Sequence, residues 1–255
     1  MSAIVSIHSF RGGTGKSNIT ANLAATITRL GMRVGVVDTD IQSPGIHVLF
    51  GMDDEGMDRS LNDYLWDRCA IEDVAYDVTS TVISDGGGGG KGTLFLIPSS
   101  IKTGEIARVL REGYDVSKLN DGFQALVEHL NLDYLLIDTH PGLNEETLLS
   151  IAISDVLLLI LRPDQQDYQG TSVTVEVARK LGVPRLLLIV NKTPGSFDAG
   201  EVRARVGQAY NADVAAVLHH SDEMMALGSA GLFTLKYAEH PMSVEIRRIA
   251  GEVME

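Results

Sequence analysis

Cysteine is almost absent from this sequence, and its scarcity narrows the chemistry available to the protein. Among 255 residues there is one, Cys69. A single cysteine cannot form a disulfide within the chain, and no C-x-x-C pair exists to bind a metal cluster or carry out redox exchange. We therefore interpret Cys69 as a partly buried structural thiol.

Positive charge is also scarce. The 21 Lys and Arg residues are outnumbered by 34 Asp and Glu residues, which gives a formal net charge of −13. Nowhere do Lys or Arg form a run. Proteins that bind nucleic acid or anionic lipid without sequence preference draw much of their affinity from such cations. We therefore expect no direct nucleic-acid binding and no direct membrane insertion.

Long apolar segments are missing as well. No stretch approaches the roughly 20 apolar residues that span a bilayer. Met1 leads almost directly into an apolar strand, without the charged and apolar regions of a signal peptide. We therefore expect a soluble, cytoplasmic protein.

Short apolar runs alternate with stretches of helical periodicity, and the length suits one domain over residues 1–255. This alternation predicts an α/β fold with a doubly wound, mostly parallel sheet flanked by helices. The predicted strands cover residues 3–7, 33–37, 93–97, 133–137, 156–161, 185–190 and 214–218. The predicted helices cover residues 18–30, 60–65, 103–110, 116–130, 145–153, 168–181, 199–210 and 244–253.

The segment between residues 76 and 92 has a weaker secondary-structure pattern. β-favouring residues at 78–83 indicate a further strand, and five consecutive glycines follow at 86–90. Glycine loses more conformational freedom on folding than any other residue, so this run is not expected in regular structure. We interpret it as the mobile tip of a hairpin, not as a domain boundary. No helix follows it, which argues against a second phosphate loop.

A glycine-rich loop follows the first predicted strand and opens the first predicted helix. Residues 10–17 read F-R-G-G-T-G-K-S. Gly12, Gly13 and Gly15 allow backbone N–H groups to turn inward around phosphate oxygens, because glycine adopts positive φ without strain and has no side chain in the way. Strand, loop and helix in this order predict a phosphate-binding loop.

Two side chains at the end of this loop would complete the site. Lys16 is placed to reach the β- and γ-phosphates of a nucleotide, and the Ser17 hydroxyl to ligate Mg²⁺. The standard pattern G-x-x-x-x-G-K-[ST] requires glycine at position 10, where this chain has Phe10. The motif is therefore a deviant form of the Walker A sequence.

Acidic residues end two of the predicted strands. Asp38 and Asp40 close the second strand as D-T-D, and side chains at i and i+2 of an extended chain point the same way. Asp138 closes the strand at residues 133–137, where a Walker B carboxylate would hold Mg²⁺ through water. Alternatively, Asp38 and Asp40 could lie in a turn with both carboxylates exposed to solvent. A phosphate loop nearby makes this alternative less favoured. We interpret His140 as a surface or packing residue.

Asn191 follows the predicted strand at residues 185–190. Its amide can both donate to and accept from the edge of a nucleobase. The alternative is an Asn that only caps a turn. The stretch at residues 162–166 also lies at a strand end, and we expect it to line the nucleotide or a partner surface.

Together these motifs resemble those of the MinD/ParA family of deviant Walker A ATPases. The family's loop reads K-G-G-x-G-K-[ST], and its Walker B and switch II segment matches D-T-H-P-G at residues 138–142. Phosphate loop, switch I, Walker B and base-binding Asn occur in the family's order over nearly the whole chain. Where the family has its first lysine, this chain has Arg11.

The resemblance implies a role for each matching residue. Asp38 would lie near the metal, Asp40 would orient the attacking water, and Asn191 would bind adenine. Arg11 would reach across an ATP-bridged homodimer to the partner's phosphates, as the family's lysine does. The alternative for Arg11 is an ion pair with Asp or Glu of its own subunit. The further nucleotide contacts carried over are Thr14, Asn18 and Gly142.

Other members of this superfamily fit the chain less well. The nitrogenase iron protein and the metal-cluster carriers need cysteine pairs, and the related tyrosine kinases carry a tyrosine-rich tail. MinD proteins extend past their last helix into a membrane-targeting segment. Here the helix at residues 244–253 is expected to pack against the core.

The resemblance thus implies an ATPase that binds ATP or ADP with Mg²⁺, with Lys16, Asp40 and Arg11 as its catalytic residues. ATP would drive dimerisation, and hydrolysis would reverse it to position or regulate a cellular assembly through an unidentified partner. Two alternatives stay open. One is a nucleotide-sensing module with little or no hydrolysis, and the other is a ligase-like enzyme acting on a small molecule.

Overall fold

The computed structural model describes residues 2–53, 56–83 and 92–255. Over these residues the chain forms one eight-stranded sheet with helices on both faces, which confirms the predicted fold class. The glycine run at residues 86–90 lies outside the described residues.

The strands follow in the order β3-β4-β2-β5-β1-β6-β7-β8 across the sheet. All neighbours pair in parallel except the short strand β3, which is antiparallel to β4. The strands are β1 (Ala3–His8), β2 (Arg33–Asp38), β3 (Tyr76–Asp77), β4 (Thr93–Ile97), β5 (Tyr134–Asp138), β6 (Val156–Leu161), β7 (Arg185–Thr193) and β8 (Asp213–His219).

The helices connect these strands and cover both faces of the sheet. In chain order the first six are α1 (Lys16–Arg29), α2 (Ile46–Leu49), α3 (Leu61–Leu65), α4 (Thr103–Glu112), α5 (Ser117–His129) and α6 (Glu145–Ala152). The remaining helices are α7 (Gln165–Leu181), α8 (Ala199–Tyr210), α9 (Asp222–Leu227), α10 (Phe233–Lys236) and α11 (Pro241–Met254).

Each central strand is buried on both sides because helices cover both faces of the parallel sheet. In β5, Leu136 packs into the core beneath α1 and α11. Its neighbours Leu135 and Ile137 pack into the opposite core, beneath α5. This alternation explains why the strand reads as a continuous apolar run and not as an amphipathic one.

Helix α1 is flanked by two glycines with positive φ. Gly15 precedes its first residue with φ 93°, and Gly31 follows its end with φ 99°. Both values lie in the left-handed region that favours glycine. The Gly31 amide donates to the Thr28 carbonyl, so the helix ends at the predicted position.

The final helix, α11, packs against the core as predicted. Ile246, Ile249 and Val253 are buried in the same cluster as residues of α1. In the described part of the chain, no helix combines the length and apolar character needed to cross a membrane.

The structure differs from the predicted elements at several places. The β-favouring run at residues 78–83 forms a single 3₁₀ turn, Thr79–Thr81, because Asp77 accepts a hydrogen bond from the Thr79 amide at 2.9 Å and bends the chain. Strand β7 continues to Thr193, so Asn191 lies inside it and does not follow it. The short helices α2, α9 and α10 were not predicted.

The direction of the chain across the sheet changes between β1 and β6. From β1 the chain moves to β2 on one side, while β6, β7 and β8 extend the sheet on the other side. Ligands of open α/β sheets bind at such a switch point, outside the carboxyl ends of the strands. The glycine-rich loop lies at this point.

Candidate nucleotide-binding site

The glycine-rich loop joins β1 to α1 and has the backbone that its sequence predicts. Gly13 has φ 77° and Gly15 has φ 93°. A Cβ atom at Gly15 would lie 2.5 Å from Nδ2 of Asn191, a distance that atoms do not tolerate. Glycine at position 15 is therefore required both by conformation and by the close approach of β7.

Lys16 and Asp138 face each other at the base of this loop. Lys16 Nζ donates to Asp138 Oδ1 at 2.9 Å, and both side chains are almost fully buried. Thr20, one turn further along α1, donates its hydroxyl to the same oxygen at 3.0 Å. The first turn of α1 and the end of β5 are thus joined by charge and hydrogen bonds.

Asp38 lies beside Asp138 because β2 and β5 pair in register, with Asp38 opposite Asp138. Burial, together with the negative charge of Asp138, raises the pKa of Asp38 to about 8. Two adjacent carboxylates disfavour a second negative charge unless a cation compensates it. The Asp38 oxygens accept from the backbone amides of Asp40 and Gly45, at 3.0 and 3.2 Å, and so fix the loop after β2.

The residues at this position fit a bound Mg²⁺ ion. Asp138 Oδ2 is buried and has no hydrogen-bond partner within the described chain. This oxygen is therefore available to coordinate a metal ion or to accept a hydrogen bond from a metal-bound water. Mg²⁺ in nucleotide sites is held by one or two carboxylates, waters and phosphate oxygens. Asp38, Asp138 and the hydroxyl of Ser17 are the groups that would hold it.

Asp40 and His140 lie just beyond the ends of β2 and β5. Asp40 Oδ1 accepts from the amide and the hydroxyl of Ser43, at 3.2 and 3.0 Å. His140 Nε2 lies 3.8 Å from the same oxygen, and both side chains are mostly buried. The two loops that would form switch I and switch II therefore meet at this pair.

Asn191 points from β7 into the phosphate loop. Its Nδ2 donates to the carbonyl of Thr14 at 2.7 Å. Beside it lies a mostly apolar cavity of about 330 Å³. Its walls come from the start of α1, the end of β8, α9 and α11, and include Asn18, Ile19, Leu218, Met224, Met242 and Ile246. A planar base would bury its faces against such walls while Asn191 reads its edge.

Arg11 forms ion pairs within its own chain. Its Nη1 lies 3.3 Å from Asp167 and 3.5 Å from Asp164, at the start of α7. Arg162 binds the same two carboxylates, at 3.2 and 3.1 Å. The Arg11 side chain remains 37% exposed, so it is held at the surface of the site and not buried in it.

Phe10, which stands where the standard pattern has glycine, packs against α7. A Cβ atom at Gly170 would lie 1.9 Å from Cδ1 of the Phe10 ring. The ring therefore occupies the space that a side chain at position 170 would need. With Arg11, it attaches the beginning of the phosphate loop to α7.

His8, the last residue of β1, is buried directly behind the loop. Burial, and then the positive charge of Lys16 and the neighbouring His140 ring, lower its pKa to about 3. Its Nδ1 lies 2.7 Å from the Thr139 hydroxyl, which donates to the Ile7 carbonyl at 3.1 Å. Nδ1 is therefore the donor in this contact, and His8 links β1 to the segment that follows β5.

Several residues at this edge of the sheet have partners that the sequence pattern does not indicate. Asp164 lies in the strand-end stretch at residues 162–166, but the sequence pattern indicates neither Asp167 nor the apolar cavity beside Asn191. A usable signal did exist for α9: Ser221 followed by acidic residues is a helix N-cap pattern, and Ser221 Oγ accepts from the Met224 amide at 3.1 Å.

Comparisons with known proteins agree with this geometry. A family model described as an AAA domain matches residues 2–182. An uncharacterized ATP-binding protein of Methanocaldococcus jannaschii is 26% identical over 255 residues, which cover 100% of this chain and 88% of the relative. An iron-sulfur cluster carrier protein of the same organism is 30% identical over 188 residues, which cover 72% of this chain and 58% of the carrier.

Among solved structures, the septum site-determining protein MinD of Pyrococcus horikoshii, complexed with Mg-ADP, has a TM-score of 0.79 against this chain. The two are 22% identical, and the match covers 99% of this chain and 96% of that one. At this identity the likeness shows the fold.

A phosphate loop between a parallel strand and a helix, with a buried lysine facing a strand-end aspartate, defines a P-loop nucleotide-binding protein. The matching family model covers residues 2–182, well over half of the chain. The chain belongs to this family of P-loop ATPases, and the resemblance to MinD/ParA proteins is confirmed.

Proposed function

We propose that this protein is a Mg²⁺-dependent ATPase that switches between nucleotide states and dimerises when ATP is bound. The observation that carries the proposal is the Lys16–Asp138 pair, 2.9 Å apart beside the glycine loop, with Asp38 as its buried neighbour. Phosphoryl transfer depends on such charges placed around the phosphates and the metal.

The phosphates of ATP would be bound by the loop backbone and by Lys16. An ammonium group has three N–H donors, and one of them is directed to Asp138, so two remain for phosphate oxygens. Gly12, Gly13, Thr14 and Gly15 supply backbone amides. The Thr14 hydroxyl is buried and has no partner within the described chain, so it offers one further polar group.

The base would occupy the apolar cavity beside Asn191. We infer a preference for ATP over GTP from the amide of this residue, as the family resemblance implies. Asn18, which lines the cavity, and Gly142, whose amide donates to the Ser9 carbonyl at 3.1 Å, complete the predicted contacts to nucleotide.

Hydrolysis would use Asp40 to orient the attacking water. The water oxygen bonds to the γ-phosphorus while the bond from phosphorus to the bridging oxygen of ADP breaks. One water hydrogen stays on the phosphate product and the other passes to solvent. Mg²⁺, when bound, neutralises charge on the β- and γ-phosphates.

Arg11 would act across the ATP-bridged dimer on the phosphates of the partner subunit. Arginine can bridge two phosphate oxygens at once, as an arginine finger does. Its ion pairs with Asp164 and Asp167 support the alternative of a local role, since a residue in those pairs is directed towards its own α7.

The non-hydrolysing alternative shares every nucleotide contact and differs in turnover alone. Iron-sulfur cluster transport is not proposed, because the sequence offers one cysteine, Cys69, instead of a pair. The switch would position or regulate a cellular assembly through a protein partner. The excess of acidic over basic residues supports the proposal that the protein binds neither nucleic acid nor membrane directly.

The first test is the binding of ATP with Mg²⁺ to Lys16→Ala. Removing the ammonium group removes the charge nearest the γ-phosphate, so calorimetric titration should show affinity reduced at least about a hundredfold, or 2.7 kcal/mol. Lys180→Ala, on the exposed end of α7, is the matched control and should bind as wild type does. Affinity near the wild-type value in folded Lys16→Ala would exclude the assigned site.

The second test is the oligomeric state of Asp40→Ala in ATP. Loss of the water-orienting carboxylate should slow cleavage while phosphate and Mg²⁺ contacts remain, so the ATP-bound dimer should accumulate. Light scattering after size exclusion would measure it, with ADP as the control. A variant that binds ATP and stays monomeric would argue against the dimer cycle.

A further inference from the structure

Asp40 and His140 are placed side by side by the sheet itself. Strands β2 and β5 pair in parallel with Asp38 opposite Asp138. Two residues further along each chain stand Asp40 and His140. The segments that follow the two strands bring these side chains to within 3.8 Å of each other.

The imidazole of His140 has a defined orientation. Its Nδ1 lies 2.6 Å from the carbonyl oxygen of Pro141. A carbonyl oxygen only accepts, so Nδ1 carries the hydrogen, and in the neutral ring Nε2 has a free lone pair. That lone pair is on the side of Asp40, 3.8 Å from Oδ1.

Asp40 is held in place from the other side. Ser43 donates two hydrogen bonds to its carboxylate, from the backbone amide and from the hydroxyl. Both bonds end on Oδ1, so the two acceptor sites of Oδ2 remain available to further donors. Asp40 and His140 thus present two oriented acceptors to one place at the carboxyl edge of the sheet.

We propose that Asp40 and His140 together bind the attacking water, each accepting one of its two hydrogens. Nε2 lies 3.8 Å from Oδ1 of the same carboxylate, so a water within hydrogen-bond distance of both Nε2 and Oδ2 can bridge the two side chains. A water that donates both hydrogens to the protein turns its oxygen lone pairs away from both acceptors. Those lone pairs are the electrons that form the bond to the γ-phosphorus.

This inference rests on the proposed ATPase function and adds His140 as a catalytic residue. Two acceptors fix the orientation of a water, whereas one carboxylate leaves it free to rotate. Loss of one acceptor should therefore reduce the rate of the chemical step and leave nucleotide affinity unchanged, because His140 makes none of the proposed phosphate contacts.

The test compares His140→Asn with His140→Gln under single-turnover conditions at saturating ATP and Mg²⁺. Glutamine places an amide oxygen at about the reach of Nε2, so it retains the distal acceptor. Asparagine retains a polar group near Nδ1 but ends short of the water. We expect His140→Asn to slow cleavage at least about tenfold and His140→Gln to recover most of that loss, both with wild-type ATP affinity.

A double-mutant cycle with Asp40→Ala supplies a second readout. If the two residues hold one water, His140→Asn should cost far less in the Asp40→Ala background than in the wild type. Equal rates for wild type and His140→Asn, or equal losses for Asn and Gln, would overturn this proposal and leave the ATPase assignment intact. A folded wild type that binds ATP without cleaving it would overturn both.

Discussion

Lys16 places a full positive charge next to two buried carboxylates, Asp38 and Asp138. With Lys16 removed, Asp138 would remain buried without its ion partner, and breaking a buried pair in this way costs about 3–5 kcal/mol. A loss of ATP binding in Lys16→Ala is therefore informative only in protein shown to be folded. Circular dichroism and a melting curve provide that control.

His8 gives the protein a pH-dependent stability whose sign follows from its burial. The folded state lowers the pKa of His8 from 6.5 to about 3, so it keeps the ring neutral, while the unfolded chain takes up a proton below about 6.5. The contribution of His8 to the free energy of unfolding is therefore fully present above pH 6.5, and it declines as the pH falls from 6.5 towards 3. Between pH 7.5 and 5.5 the loss due to His8 should be about 1.4 kcal/mol.

The measurement is chemical unfolding of wild type and His8→Asn at both pH values. Asparagine keeps a donor near the Thr139 hydroxyl and does not titrate, so this variant should show a smaller loss on acidification. His129→Asn, at a half-exposed position on α5, should behave as wild type. If His8→Asn and wild type lose equal stability, His8 is not the group responsible.

The attachment of the phosphate loop to α7 depends on the contact between Phe10 and Gly170. Gly170→Ala would place a methyl group inside the Phe10 ring, whose nearest atom is 1.9 Å from the ideal Cβ position. The ring must move, and with it the loop that follows. We expect a loss of about 1–3 kcal/mol in unfolding free energy, together with weaker ATP binding.

A second helical glycine provides a matched control. Gly251 lies within α11, and a Cβ atom there would meet nothing within 4 Å. Gly251→Ala should therefore stabilise the protein by about 0.5–1 kcal/mol, since alanine favours helix over glycine. Denaturant unfolding of both variants measures the difference. Similar effects of the two substitutions would show that the contact between Phe10 and α7 contributes nothing.

Dimerisation should depend on Arg11 if this residue acts on the partner's nucleotide. Arg11→Ala should still bind ATP, because Lys16 and the glycine backbone remain, but it should lose dimerisation and turnover together. Arg11→Lys should retain both in part, since the charge is kept and the planar fork is lost. The measurement is ATPase rate against protein concentration, which should rise steeply for wild type.

Arg29→Ala, on the exposed end of α1, is the control for simple loss of charge and should match wild type. Rates independent of concentration, with normal turnover of Arg11→Ala, would assign Arg11 to its local ion pairs with Asp164 and Asp167. That result would leave the nucleotide site unchanged and remove the cross-dimer role.

The whole sheet brings the site together at one edge. β1 lies between β5 and β6, with β2 beyond β5, so the loop after β1 has the ends of β5 and β2 beside it. The strands themselves are predictable because each is a short apolar run between turns, and such patterns depend on neighbouring residues only. The phosphate loop is equally local, since eight consecutive residues, 10–17, specify it.

Local sequence therefore determined the fold class, the phosphate loop, and the strand-end positions of Asp38 and Asp138. It also determined the helix end at Gly31, where a positive φ is needed. Each of these depends on residues close together in the chain, so propensity and spacing are sufficient to find them.

Tertiary structure alone decided which distant groups meet. The register of β2 with β5 places His140 beside Asp40, and β7 carries Asn191 to the Thr14 carbonyl, 177 positions earlier in the chain. The pairing of Arg11 with Asp167 is another such contact, 156 positions apart. No local pattern encodes these distances, because they depend on strand order and register, which are fixed only when the complete sheet packs between its two helical layers.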